Sequence, residues 1–318
     1  MVIDLFNYLS EELKQVDEET DKIFFCDNQL IKDIGEYIKQ FPGKRIRPSL
    51  LILTARGSGY QGQEHIKAAA SVELIHTASL IHDDIIDSAK TRRGQASVNY
   101  KWGQDIALLT ADYIYTKAFT LLTQTLSPEA LSILCEATSR MCKAELMQVQ
   151  FKNNNTTYED YFKIIENKTA FFFSACTVLG CIIAKCPMWK ILRLKDYGFN
   201  YGMAFQIIDD TLDIDADEEI FGKDIGNDYE SGKKTLPIIR TLEIASKEDV
   251  KRLRKCFENG DDVKTVFSIV SRYDGIEYSR KIAKNYADKA VECIKDLEKN
   301  NDIDILLDLA STVIERTY

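Results

Sequence analysis

The sequence predicts an all-α protein, and three observations lead there. Pro and Gly are scarce in the 318 residues, at 5 and 15, whereas a many-stranded fold needs more of both for its turns. Apolar residues recur at helical spacing over long windows, as in Ala69, Val72, Ile75, Leu80 and Ile86. Alternating strand patterns are rare, and no segment carries a convincing hairpin signal.

The elements follow in order. Residues 1–25 mix charged residues with Leu, Ile and Phe at helical spacing and lack the basic start and apolar block of a leader. Pro42-Gly43 and Pro48 punctuate a basic turn. The periodicity predicts helices over 66–88, 106–122, 129–151, 158–185 and 194–214. Basic residues at 91–94 end the first of these, and 215–234 reads as a polar, Gly-containing loop. Further helices are predicted over 236–245, 247–259, 263–273, 275–297 and 302–315. No Ser-, Pro- or Gly-rich linker divides the chain, so one domain over 1–318 is expected.

Composition narrows the function. A net charge of -9 argues against nucleic-acid binding, which needs a basic footprint, and suits a protein that gathers divalent cations. The longest apolar stretch, 170–184, falls short of the ~20 residues of a membrane span and reads as a buried helix. The eight cysteines form no CxxC pair, and the three histidines lie far upstream of Cys176, Cys181 and Cys186. Zinc is therefore not expected. The thiols read as reduced and mostly buried in a cytoplasmic protein.

The chemistry lies in a repeated pattern. Asp83-Asp84-Ile85-Ile86-Asp87 sets Asp83 and Asp87 four apart and Asp84 and Asp87 three apart on a helix. Like charges so placed repel unless a cation bridges them. All-oxygen ligands suit a hard ion such as Mg²⁺. Asp209-Asp210-Thr211-Leu212-Asp213 repeats the pattern inside an otherwise apolar helix. Unpaired charges in a core cost several kcal/mol each, so two such clusters suggest Mg²⁺ ions clamping a diphosphate.

Cationic groups flank both clusters: Lys44-Arg45-Ile46-Arg47, Arg92-Arg93, Lys168-Thr169, Lys223, and Lys233-Lys234. Taken singly, each reads as a solvated patch. Jointly they suggest two anion sites, one with metal and one without.

With these motifs in this order, the sequence resembles the trans-isoprenyl diphosphate synthases, or polyprenyl synthetases. The resemblance runs from about Pro42 to Pro237. It rests on Gly-Lys-Arg-Ile-Arg-Pro, Glu-Leu-Ile-His, Asp-Asp-x-x-Asp before Arg-Arg-Gly, Lys-Thr, and Phe-Gln-Ile-Ile-Asp-Asp-x-x-Asp. Gly-Lys-Asp-x-Gly-x-Asp and Gly-Lys-x-Thr-Leu-Pro close the set. Departures are Pro-Gly-Lys for the commoner Gly-Gly-Lys, and Ala111 where Gly is frequent.

The resemblance implies an isoprenoid synthase helical bundle with a central apolar cavity. It implies that Lys44, Arg47, His76 and Arg93 hold isopentenyl diphosphate. Asp83 and Asp87 would bind Mg²⁺ on an allylic diphosphate, with Asp84 supporting, and Asp209 would bind a further Mg²⁺, with Asp210 and Asp213 completing its cluster. The expected complement is about three ions per active site. Arg92, Lys168, Thr169, Gln206 and Lys223 would contact the allylic substrate, and Glu145 and Gln148 would face the cavity. A homodimer is the family's habit.

The implied reaction is head-to-tail condensation of dimethylallyl, geranyl or farnesyl diphosphate with isopentenyl diphosphate. Ala78 and Ser79, five and four residues before Asp83, are small where short-product members place an aromatic. That predicts a geranylgeranyl or longer product, the alternative being farnesyl diphosphate. A terpene cyclase is disfavoured by the second aspartate cluster and the basic turn, and a subunit of a heteromeric synthase by the intact clusters.

Overall fold

A computed structural model describes residues 5–124, 127–151, 156–215, 226–259 and 263–316. The chain divides into two compact units, Met1–Glu136 with Ala175–Lys195 and Leu297–Asp308, and Ala137–Ser174 with Asp196–Asp296 and Leu309–Tyr318.

The first unit opens with α1 (Leu5–Tyr8), α2 (Ser10–Lys22), α3 (Gln29–Lys39), α4 (Ile46–Gly57) and α5 (Glu64–Ile86). Then come β1 (Thr91–Arg92), β2 (Gln95–Ala96), α6 (Val98–Trp102) and α7 (Gln104–Thr123). α5 packs along α7, and Ala68, Ala69, Ala78, Ala107, Ala111 and Ala118 of the two helices are fully buried. Small residues let two helix backbones approach closely, and Ile75 and Ile114 add apolar bulk. Burying such an aliphatic side chain stabilises by roughly 1.5–3 kcal/mol.

β1 and β2 correct the sequence expectation of no hairpin. Thr91 pairs with Ala96 and Arg92 with Gln95 across a two-residue turn. Arg93 and Gly94 both have positive φ, 52° and 74°, as the tight turn of a twisted hairpin requires. The signal was Arg-Gly rather than the usual Asn-Gly.

α8 (Pro128–Phe151), α9 (Tyr158–Ile165), a π-turn (Glu166–Ala170), α10 (Phe171–Ile183) and α11 (Met188–Asp215) follow. The predicted helix over 158–185 is thus interrupted by the π-turn and ends at Ile183, where Lys185 turns left-handed at φ 54°. The remaining elements are α12 (Asn227–Glu230), α13 (Leu236–Ile244), α14 (Lys247–Asn259), α15 (Val263–Arg272), α16 (Gly275–Ile294), α17 (Asn301–Thr312) and a 3₁₀ turn (Val313–Glu315).

In the second unit Tyr161, Ile165, Met203, Ile207, Ile208, Leu236, Ile239 and Ala283 form one core cluster. Ile238, Leu253, Val266, Ile269 and Val270 belong to another. Thr157 caps α9 through a capping box with Asp160, which satisfies the first amides of the helix that carries Tyr161. The cysteines differ from expectation: Cys176, Cys181 and Cys256 are buried, Cys135 and Cys142 exposed, and Cys26, Cys186 and Cys293 between. All eight are thiols. No described helix is long and apolar enough to cross a membrane.

Candidate active site

In the first unit the basic turn separates its cations by role. Arg45, left-handed at φ 43°, precedes α4 and is held by ion pairs with Glu73 at 2.5 Å and Asp17 at 2.8 Å. Arg45 is therefore structural. Arg47, two residues later, lies 3.1 Å from His76 Nε2 through Nη1. A guanidinium only donates, so Nε2 accepts and the imidazole is neutral. Burial first, then the charges of Arg47, Arg93, Arg92 and Arg45, hold His76 well below the usual histidine range.

Lys44 is exposed beside Gly43. Arg93, at the hairpin tip, donates from Nη1 to the Phe41 carbonyl at 2.7 Å. Its guanidinium lies so close to Gly43 that a Cβ there would stand 2.5 Å from Nη2. Arg47 and His76 thus meet directly, while Arg93 packs against Gly43, the chain neighbour of Lys44.

The first acidic cluster sits at the end of α5. Asp87 N donates to Asp83 O at 2.8 Å, keeping the helical turn, so the half-buried Asp83 and Asp87 leave the same side. Asp84 points elsewhere and is buried. Arg92 donates to its Oδ1 through Nε at 2.9 Å and also through Nη2. Burial raises the Asp84 carboxyl, and Arg92 opposes that shift. Asp84 therefore anchors the hairpin that presents Arg93. Arg92, expected on the allylic substrate, is engaged by Asp84.

His82 stacks on Tyr115 and Tyr115 on Phe119, which accounts for that histidine by packing. Ala78 is fully buried, and Ser79 Oγ donates to the His76 carbonyl at 2.7 Å. A cavity of about 110 Å³ on the flank of α5 is lined by Phe24, Tyr37, Leu74, Thr77 and Ile81, and by neither Ala78 nor Ser79.

In the second unit the π-turn carries Lys168 and Thr169. An extra residue in one turn redirects side chains, and such bulges occur often at functional sites. Gly202 of α11 permits the close approach, since a Cβ there would lie 2.8 Å from Ala170 Cα. Thr169 Oγ1 then donates to Gln206 Oε1 at 2.7 Å, and Gln206 Nε2 donates to Asp210 Oδ1 at 2.8 Å. Lys168 pairs with Glu145 and reaches Gln148 Oε1 at 3.3 Å.

The second cluster divides in the same way. Asp209 is exposed. Asp210 is buried and accepts from Tyr161 Oη at 2.5 Å. Burial, then the charge of Asp228, pushes its carboxyl well above the usual range. Asp213 accepts from the amides of Gly226 and Asp228, both at 3.1 Å, and so fixes the start of α12. Lys223 lies outside the described residues.

A cavity of about 120 Å³ joins these groups, lined by Gln148, Tyr161, Lys168, Gln206, Asp209, Asp210, Asp228, Lys233 and Lys234 and by the apolar Phe151, Ile164 and Ile165. Sequence reasoning missed Tyr161 and Asp228 as site residues. Asp228 closes the Gly-Lys-Asp-x-Gly-x-Asp motif, while nothing marks Tyr161 beyond its aromatic character. Phe172 and Phe173 of α10 are fully buried, and Phe173 packs on Tyr201 and Phe205.

The donor set fits Mg²⁺. The ligands on offer are carboxylates, and among the described residues no group of three acidic, His or Cys side chains forms a ready-made metal site. Mg²⁺ takes one or two carboxylates and completes its shell with water and substrate phosphates.

An all-α chain with two aspartate clusters and separate Lys/Arg groups is that of an isoprenoid diphosphate enzyme. The polyprenyl synthetase family model matches residues 28–272. An octaprenyl diphosphate synthase of Escherichia coli is 36% identical over 294 residues, covering 91% of each chain. A short chain isoprenyl diphosphate synthase of Methanothermobacter thermautotrophicus is 36% identical over 291 residues, covering 89% of this chain and 90% of its own. The structure of a Caulobacter crescentus polyprenyl synthase complexed with calcium and isoprenyl diphosphate aligns with a TM-score of 0.93 at 29% identity, covering 98% and 97% of the two chains. The chain belongs to the polyprenyl synthetase family. It is an enzyme of prenyl transfer with the all-α isoprenoid synthase fold.

Proposed function

We propose that the protein condenses an allylic diphosphate with isopentenyl diphosphate, head to tail and in trans, to a geranylgeranyl or longer polyprenyl diphosphate. The observation that carries this reading is the neutral His76 beneath Arg47, within reach of the charge of Arg93. It forms a cationic site with no carboxylate needed for a metal, apart from the aspartates that suit one. An enzyme that only ionises one diphosphate needs no such second anion site.

Lys44, Arg47 and Arg93 bind the isopentenyl diphosphate by charge-assisted hydrogen bonds. Lys168, Thr169 and Gln206 hold the allylic diphosphate, with Lys223 assigned by its motif. Asp83 and Asp87, and separately Asp209, hold about three Mg²⁺. When bound, the ions supply Lewis-acid neutralisation of the leaving diphosphate. Asp84, Asp210 and Asp213 position neighbours: the hairpin, the pair Tyr161 and Gln206, and the start of α12.

The allylic C–O bond breaks as cationic side chains stabilise the departing anion. The double bond of isopentenyl diphosphate attacks the allylic carbon, and a proton leaves the adduct for the released diphosphate. Water must be excluded from the cation for its lifetime. A homodimer and a cytoplasmic location complete the reading. Exposed Leu108 and Leu109, 47% and 67% accessible on α7, support the first, and the eight thiols support the second. Incubating purified protein with isopentenyl diphosphate, each allylic primer and Mg²⁺ tests the proposal, and release of free allylic alcohol without elongation contradicts it.

A further inference from the structure

The end of α10 carries a pair of cysteines that prenyl transfer does not use. Cys186 N donates to Cys181 O at 2.9 Å and Lys185 N to Ile182 O at 2.9 Å, with Lys185 left-handed at φ 54°. These nested bonds make a Schellman helix ending. That geometry brings the side chain three places before the cap against the one two places after it, usually as an apolar contact. Here both positions are cysteine.

The two thiols hydrogen-bond to each other. Cys181 is fully buried, and Cys186 is half-buried at the approach to α11. The hydrogen bond with Cys186, then burial, raises the Cys181 thiol. The bond from Cys181, helped by the Ser58 hydroxyl and the charge of Lys190 against the opposing effect of burial, lowers Cys186 to about 6. The partly exposed sulfur is therefore the nucleophile and the buried one its partner, the division of labour of a reactive and a resolving cysteine.

We propose that Cys181 and Cys186 form a redox-active dithiol, which hydrogen peroxide oxidises to a disulfide joining the last turn of α10 to the approach to α11. The Cys186 thiolate attacks one peroxide oxygen and the O–O bond breaks. The departing hydroxide takes a proton and leaves as water, with Cys186 now a sulfenic acid. The Cys181 sulfur then attacks the Cys186 sulfur and the S–O bond breaks. The hydroxide so released takes the Cys181 proton and leaves as a second water. Two thiols lose two electrons and the peroxide gains them. A small dithiol reverses the reaction by exchange.

The test uses the full chain. Protein treated with hydrogen peroxide, alkylated and digested with trypsin yields the fragment ending at Lys185 joined to the fragment Cys186–Lys190. The joined species is about 2 Da lighter than the two thiol fragments together and disappears on dithiothreitol treatment. The first fragment also contains Cys176, so Cys176→Ser must keep the link and Cys181→Ser must abolish it. A link made through Cys176, or peroxide oxidation of Cys186 to sulfinic acid with no link formed, overturns the proposal. Independently of any oxidant, the rate of Cys186 alkylation against pH shows a midpoint near about 6. That midpoint rises in Cys181→Ser, and one that does not move contradicts the pairing.

Discussion

Tyr161 Oη donates to Asp210 Oδ2 at 2.5 Å, while Gln206 Nε2 occupies Oδ1 at 2.8 Å. The middle aspartate of the second cluster is thus held by two neutral donors inside the core. Tyr161→Phe leaves one carboxylate oxygen without its donor. Leaving a buried acceptor without its donor costs about 1–3 kcal/mol. A melting temperature lowered by several degrees, with a raised KM for the allylic substrate through Gln206, is the expected outcome. Differential scanning calorimetry and steady-state kinetics measure both.

The three aspartates of the first cluster should not respond alike. Asp83→Ala and Asp87→Ala remove ligands and lower kcat by about 10²–10⁴-fold, the several kcal/mol that a bound metal supplies to a leaving group. They also raise the Mg²⁺ concentration for half-maximal activity. Folding stability holds or improves by a few tenths of a kcal/mol, because like charges four apart repel. Asp84→Ala, by contrast, strands Arg92 and loosens the hairpin, so stability falls by about 1–2 kcal/mol, the partial exposure of Arg92 limiting the loss. Mg²⁺ titrations and chemical denaturation of the three variants separate the two effects.

His76 gives a pH signature. Its folded-state value is lowered, by burial and by Arg47 above all other charges. Below pH 6.5, the unfolded value, the unfolded chain binds the proton more readily than the folded one. Stability is therefore complete above that pH and is lost as pH falls, at about 1.4 kcal/mol for each pH unit until the folded value is reached. His76→Gln keeps an acceptor for Arg47 and cannot take up a proton, so its stability changes less between pH 7 and pH 5. Urea denaturation at several pH values compares them.

Much of this was readable from the chain, and the exceptions share a cause. The two aspartate clusters and Arg47 announce themselves by residue type and spacing. The division of labour within each motif does not, because it depends on tertiary partners. Asp84 and Asp83 are adjacent and identical in type, yet Asp84 is buried against Arg92 while Asp83 is half-buried. Arg45 and Arg47 are equally basic, yet Arg45 meets Glu73 and Asp17 while Arg47 meets His76. The π-turn at Lys168-Thr169 has no composition signal, since it arises where Gly202 lets α11 approach. The α2 helix falls where the sequence shows helical spacing, although only Leu13 and Val16 of its residues are buried.

Product length tests the small residues of α5. Ala78→Phe is expected to shorten the product by at least one prenyl unit. It also costs about 1–3 kcal/mol through overpacking, since Ala78 is fully buried. Ser79→Phe, at a half-buried position, shortens the product with a smaller loss of stability. Reversed-phase separation of dephosphorylated products reports the change, and an unaltered distribution in both variants places the floor of the tunnel elsewhere.

The most direct measurement of the central claim is incorporation of radiolabelled isopentenyl diphosphate by the purified chain. Dimethylallyl, geranyl and farnesyl diphosphate serve in turn as primer, with and without Mg²⁺. The account predicts Mg²⁺-dependent products of geranylgeranyl length or longer, and at least a hundredfold loss of incorporation in Arg47→Ala. No incorporation with any primer, or product that ends at farnesyl diphosphate, contradicts it.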